Sequence, residues 1–327
     1  MKHVMIYGTL GPACRDPEIL RRMFKEGLDG MRLNLSHTTL PEAADLIEAY
    51  RQAAGASGRD PALLIDLMGP ELRIGTLDAP VPLREGDSIG SDALPFPDEV
   101  RKAFQTAARG QRILLDDGKI LLETERPDRL TVLRGGILES RKSIARPGIT
   151  IDAPALTEED RQHIRMAKSC GVTAVMQPFV RSRQDLSDVQ IALKEAGGGI
   201  RLLAKIENAE GIAHLTELIP LCDEIVIARG DLGNAVPLWE LPKVQKRIAA
   251  ACRAAGRDFM VVTQMLDSMT HRPVPTRAEV SDIFNAVLDG ASSVMVTGET
   301  ASGEYPVETI RYLVKTVREA ETFLKEP

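Results

Sequence analysis

RLLAKIENAEGIAHLTELIPLCDEIVIARGDLG, residues 201–233, holds two short apolar runs, RLLAKIE and EIVIA, with a helical stretch between them. Strands alternating with helices in this way mark βαβ units and a parallel sheet. Both runs end in polar residues. Lys205 and Glu207 close the first, and Gly230, Asp231 and Gly233 follow the second. Residues two apart on a strand point to the same face, so the Lys205 ammonium and the Glu207 carboxylate share one. Burying a charge is costly unless it has a partner or a task. The C-terminal ends of parallel barrel strands are where catalytic groups collect. A structural ion pair at a strand end is the alternative reading, and the pattern alone leaves it open. The glycines beside Asp231 allow close approach of the backbone to a ligand. An ordinary turn explains GDLG equally well.

The same unit recurs along the chain. Eight strands are expected at Val4–Thr9, Met31–Leu35, Ala62–Leu67, Thr173–Gln177, Arg201–Glu207, Glu224–Ala228, Phe259–Thr263 and Ser293–Thr297, with helices such as Glu42–Ala53, Glu158–Cys170 and Val307–Phe323 between or after them. Thr157 with Asp160 three residues later is a capping signal for the second of these helices. Eight such units close a barrel, so the expected fold is α/β, a (β/α)8 TIM barrel. The rhythm breaks between Arg73 and Pro147, where an Asp117-Gly118 turn and a Gly135-Gly136 pair signal hairpins and Pro97–Arg109 reads as one helix. The expected organisation is a barrel of residues 1–75 and 148–327 with a small β-rich domain, 76–147, inserted after the third strand. An insertion of that length on the catalytic face is placed to act as a lid.

Composition agrees with a cytosolic globular enzyme and excludes other classes. The 327 residues carry 41 basic and 47 acidic side chains, a net charge of −6, which argues against nucleic acid as a partner. No apolar run reaches bilayer length, so no membrane is implied. The N-terminal MKHVMIYGTLGP reads as a first strand and not as a signal peptide. The four cysteines (Cys14, Cys170, Cys222 and Cys252) have no metal-binding spacing and are expected as free thiols.

The remaining strand ends are also polar. Arg32, Asn34 and Ser36 alternate with Met31, Leu33 and Leu35, Asp66 closes LLID, and Thr263-Gln264 and Thr297-Gly298-Glu299 close the last two strands. In a barrel covered by helices, such a polar face must look into the mouth. Glu207 and Asp231 at neighbouring strand ends would suit a Mg²⁺ ion whose other positions fall to water and substrate oxygens.

Together these segments resemble the pyruvate kinase family. GTLGPA (8–13), MRLNLSH (31–37), GPELRIG (69–75), KIENAEG (205–211), ARGDLG (228–233), TQMLDSM (263–269), PTRAEVSD (275–282) and GETASGEYP (298–306) look like its motifs, in order. The resemblance runs from residue 4 to about residue 321, and LLDDGKI and GGIL look like the family's mobile lid. It implies phosphoryl transfer from phosphoenolpyruvate to ADP, giving pyruvate and ATP.

Roles follow from the resemblance, residue by residue. Glu207 and Asp231 would hold Mg²⁺ or Mn²⁺, Lys205 would face the phosphoryl group and the enolate, and Arg73 would clamp the phosphate. Arg32 and the backbone at Gly230 would bind substrate, and Thr263 would lie near the carbon that gains a proton. Arg32, Asn34 and His37 would face the nucleotide. Potassium would sit among the side chains of Asn34, Ser36 and Asp66 and the carbonyl of Leu67. Family members that need potassium carry an acidic residue at the position of Glu71; those that do not carry Lys there, often with Leu at the position of Leu67. The resemblance also implies barrel and lid without the family's C-terminal domain, because the sequence stops at Pro327, and a homodimer formed through the barrel. Met68, Pro178, Ala235 and Ser302 depart from residues common in the family. A metal-dependent 2-oxo acid lyase on the same barrel, or a silent homologue, are the competing readings. Retention of Arg73 and of a lid favours the kinase, since a lyase has no phosphoryl group to clamp.

Overall fold

The computed structural model describes residues 3–58, 60–70, 72–116, 118–145 and 154–326. Eight parallel strands close a ring: β1 (Met5–Thr9), β2 (Gly30–Asn34), β3 (Ala62–Asp66), β4 (Ala174–Gln177), β5 (Arg201–Ile206), β6 (Glu224–Ala228), β7 (Asp258–Val262) and β8 (Ser293–Met295). Around the ring the order is β1-β8-β7-β6-β5-β4-β3-β2, so the expected (β/α)8 barrel is the fold. Strand ends shift by a residue or two from the sequence expectation. The largest consequence is at β7, where Thr263 falls outside the strand with a φ of +80°. Helix Glu158–Ala167 stops short of the expected Cys170, and its Thr157–Asp160 capping box is formed as anticipated.

Period-two alternation sorts each strand between two apolar environments. Leu202, Ala204, Ile206, Ile225, Ile227 and Val261 point outward and are buried beneath the helices. Tyr7, Leu64, Met176, Leu203, Val226 and Met260 point inward and pack as the barrel's interior. A charged inward residue lies at either end of this plug. At the N-terminal end, Arg201 donates to Glu224 Oε2 at 2.9 Å and Ser293 to Glu224 Oε1 at 2.5 Å. Burial, reinforced by Glu224, pushes the Tyr7 phenol there up to about 12. Lys205, four residues along β5 from Arg201, emerges at the other end.

The chain forms two compact units. The barrel unit comprises 1–69, 154–229 and 241–327; the second comprises 70–153 and takes in Gly230–Glu240 as well. The second unit is antiparallel. Leu72–Arg73, Ser143–Ala145, Arg112–Leu115, Ile120–Arg126, Arg129–Arg134 and Ser88–Gly90 form one sheet in that order, and Gly136–Leu138 pairs with Val81–Leu83. Its own core gathers Val100, Phe104, Ile113, Leu115, Leu122 and Leu130. The helix expected at Pro97–Arg109 spans Asp98–Thr106, and Phe96 meets Phe104 edge-on at 5.1 Å. A side chain at Gly118 (φ +81°) would lie 2.9 Å from Asn234 Oδ1, so glycine there keeps the Arg112–Arg126 hairpin turn against the 230–240 segment. Asp117 of that turn, Glu71, and the expected domain boundary at 147/148 lie outside the described residues. Among the described residues no helix is long and apolar enough to cross a membrane, and the four cysteines are free.

Candidate active site at the mouth of the barrel

Four charged side chains of alternating sign line the C-terminal end of the barrel unit. Arg32 on β2 donates to Asp66 Oδ2 through Nε at 2.9 Å and Nη2 at 2.6 Å. Asp66, at the end of β3, accepts from Lys205 Nζ at 3.0 Å, and Lys205 lies 3.0 Å from Glu207 Oε1. The second Glu207 oxygen accepts the backbone N–H of Phe179 at 2.8 Å. Side-chain exposure is 12% for Arg32, 3% for Asp66, 13% for Lys205 and 1% for Glu207, so water screens these contacts weakly. Burial works to raise the Asp66 carboxyl, but the Lys205 ammonium and then the Arg32 guanidinium outweigh it and hold the group below the usual carboxylate range.

The sequence placed Lys205 and Glu207 on one face, and the structure brings them together. It also supplies the ion-pair alternative raised for them, and extends it to Asp66 and Arg32. Asn34 aligns with Asp66 across β2 and β3, and its Oδ1 accepts the N–H of Ser36 at 3.2 Å. Leu67 follows Asp66 directly and is buried; His37 lies exposed in the turn after β2. Arg73 belongs to the second unit, where its Nη1 donates to the Arg141 carbonyl at 2.8 Å. Gly230 and Asp231 lie in the helix Arg229–Ala235 and are counted with the second unit.

Asp160 was expected only as a helix cap and Glu299 only as a polar strand end; how they arrange this mouth was not foreseen. Asp160 accepts the N–H groups of Met68 at 2.9 Å and Gly69 at 3.1 Å, fixing the turn after β3. A Cβ at Gly69 (φ +60°) would come within 2.6 Å of Pro178, so this turn requires glycine. Glu299 accepts from Leu266 N at 3.1 Å and Thr297 N at 2.7 Å, tying together the loops after β7 and β8. Arg229 reaches the β7 loop: Nε and Nη2 donate to the Thr263 carbonyl at 3.0 and 2.7 Å, and Nη1 meets Asp282 at 2.6 Å. In the sequence Arg229 stood inside the ARGDLG segment, directly after an apolar strand, with no role assigned to it.

The family description "Pyruvate kinase, barrel domain" matches residues 1–310. The chain belongs to the pyruvate kinase family. It is 37% identical over 318 residues to the pyruvate kinase of Geobacillus stearothermophilus, covering 93% of this chain and 54% of that protein. It is 37% identical over 333 residues to that of Methylorubrum extorquens, covering 98% and 69%. The human pyruvate kinase PKLR is 38% identical over 344 residues, covering 97% and 59%. The chain thus spans between about half and two thirds of these pyruvate kinases. The family's barrel is the fold described above, and the Arg32–Asp66–Lys205–Glu207 array stands at its mouth.

Proposed function

We propose that this chain moves a phosphoryl group from phosphoenolpyruvate to ADP, giving pyruvate and ATP. The supporting observation is the array at the barrel mouth, in which Lys205 is fixed between two buried carboxylates. Phosphoryl transfer asks for positioning and charge neutralisation more than for covalent chemistry. An ammonium held in place before reaction meets the enolate oxygen as charge develops, without reorganising. Arg32 and Arg73 bind the anionic substrate, the backbone at Gly230 receives its carboxylate, and the Thr263 hydroxyl serves the carbon that is protonated. Asn34 and His37, with Arg32, face the nucleotide. Residues 76–147 are proposed as the lid that keeps water from the transferring group.

The donor chemistry fits a hard divalent ion. Glu207 offers a buried carboxylate oriented by the Phe179 N–H, and Asp231, three residues past the end of β6, is proposed as the second ligand. Two carboxylates would leave the remaining positions of such an ion to water and substrate oxygens, as Mg²⁺ or Mn²⁺ would allow. When bound, the ion neutralises charge on the phosphoryl oxygens. Potassium is proposed at Asn34, Ser36, Asp66 and the Leu67 carbonyl, all oxygen donors. By the family resemblance an acidic residue at position 71 goes with a potassium requirement, so activity should fall sharply when potassium is replaced by tetramethylammonium at constant ionic strength. Glu71→Lys should relieve the loss; equal wild-type rates in both salts would count against the cation site.

The deciding experiment is a coupled assay with phosphoenolpyruvate, ADP and Mg²⁺, run beside an oxaloacetate decarboxylation assay. ADP-dependent pyruvate formation supports the proposal. Decarboxylation alone, or neither activity, overturns it.

A further inference from the structure

Thr263 (φ +80°) and Gln264 (φ +53°) follow the last regular residue of β7 in the left-handed region of backbone space. A β-branched residue there is strained by about 1–3 kcal/mol and persists only where its surroundings over-determine it. One side chain reaches both of their carbonyls. Arg229 donates through Nε and Nη2 to the Thr263 carbonyl and through Nη2 to the Gln264 carbonyl at 3.1 Å. Its Nη1 is anchored on Asp282 in the helix Arg277–Leu288. Arg229 is itself 9% exposed. Three of its four N–H···O contacts therefore go to the two residues whose backbone is left-handed. A tie between barrel and helix would need only the ion pair. The flat guanidinium fork can hold two adjacent carbonyls and a carboxylate at once, which the single ammonium of lysine cannot. The backbone conformation at Thr263 fixes its Cβ and so the arc that its hydroxyl can reach.

We infer that Arg229, anchored by Asp282, is a positioning residue that fixes the left-handed Thr263–Gln264 backbone and so directs the Thr263 hydroxyl to the carbon that gains a proton. The inference rests on the proposed reaction and on the place of Thr263 in it. The test is a double-mutant cycle of Arg229→Lys and Thr263→Ala, with kcat and KM for both substrates and the thermal midpoint of each variant. Arg229→Lys lowers kcat by about 10- to 100-fold, the scale of a misplaced reacting group, and leaves KM nearly unchanged. Thr263→Ala also lowers kcat, and the double variant is no slower than Thr263→Ala alone. Asp282→Asn, which leaves the fork on the carbonyls, lowers kcat in the same direction by less; it is the variant to read should Arg229→Lys not fold. Multiplying losses, or wild-type kcat in Arg229→Lys, overturn the inference. Wild-type kcat in Thr263→Ala overturns it too by removing the role of Thr263, while phosphoryl transfer by the wild-type protein still stands.

Discussion

Asp66 carries more of the site than its single carboxylate suggests, because two part-buried cations depend on it. Replacing it by Asn keeps the shape and removes the charge, taking away the carboxylate paired with Arg32 and one of the two paired with Lys205. Breaking a buried pair in this way costs about 3–5 kcal/mol, so Asp66→Asn should lower the urea midpoint strongly at neutral pH. The sign of the pH dependence follows from the depressed carboxyl. A carboxylate stabilised in the folded state contributes stability above its unfolded value, near 4, and loses it as pH falls through its lower folded value. Wild type and Asp66→Asn should therefore converge in stability as the pH drops below about 4; a gap that stayed constant would show that the Asp66 charge is not what the cations need. Lys205→Met tests the chemistry separately. It should reduce kcat by about 10²–10³-fold, as loss of a preorganised charge partner does, while far-UV circular dichroism is unchanged. Wild-type turnover in that variant would remove Lys205 from the mechanism.

At the scale of elements, the strands were legible and the loops were not. Apolar runs such as LLAKI and EIVIA announce themselves by length and alternation, and β6 matches its expected bounds of Glu224–Ala228. The polar strand ends were legible for the same reason, since a Lys or Asp in such a run stands out. What the sequence hid is how the loops are held, because those bonds join residues far apart in the chain: Gly69 to Asp160 across 91 positions, Leu266 to Glu299 across 33. The Arg32–Asp66 pair was hidden likewise, since both residues were read singly. Glu299 shows what such a tie is worth. It is 1% exposed, and its two oxygens each accept a different backbone N–H. Glu299→Gln places an NH₂ against one of those donors, so one bond must be lost whichever way the amide turns. The expected cost is about 1–3 kcal/mol, the penalty for an unsatisfied buried donor. Urea unfolding measures it, and hydrogen exchange at Leu266 and Thr297 locates it. An unchanged midpoint would mean the loops after β7 and β8 are held by packing instead.

For the molecule as a whole, the question is whether the barrel needs the insertion in order to fold. The ring closes without it: β3 pairs directly with β4, Ala174 beside Leu64 and Met176 beside Asp66. The two ends of the insertion also run side by side, with Arg73 opposite Ser143 and Arg141 N donating to the Gly75 carbonyl at 3.4 Å. Replacing residues 76–140 by Asn-Gly therefore asks only for a tight turn between antiparallel neighbours, the connection that dipeptide favours. Ile74 and Ile144 belong to the core of the second unit, and without that core they would be bare. Changing both to Thr removes the apolar surface while keeping β-branched side chains in the short ladder. The shortened chain should unfold in one cooperative transition with barrel-like circular dichroism, because the interior around Leu64, Met176, Leu203 and Met260 is complete within the barrel unit. Its phosphoryl transfer should fall by at least about 10²-fold, since the proposed lid is gone and the reacting groups lose their shield from water and their positioning. A shortened chain that binds a hydrophobic dye and melts without cooperativity would show that the insertion belongs to the folding unit of the barrel. One that folds and turns over at the wild-type rate would remove the lid from the mechanism.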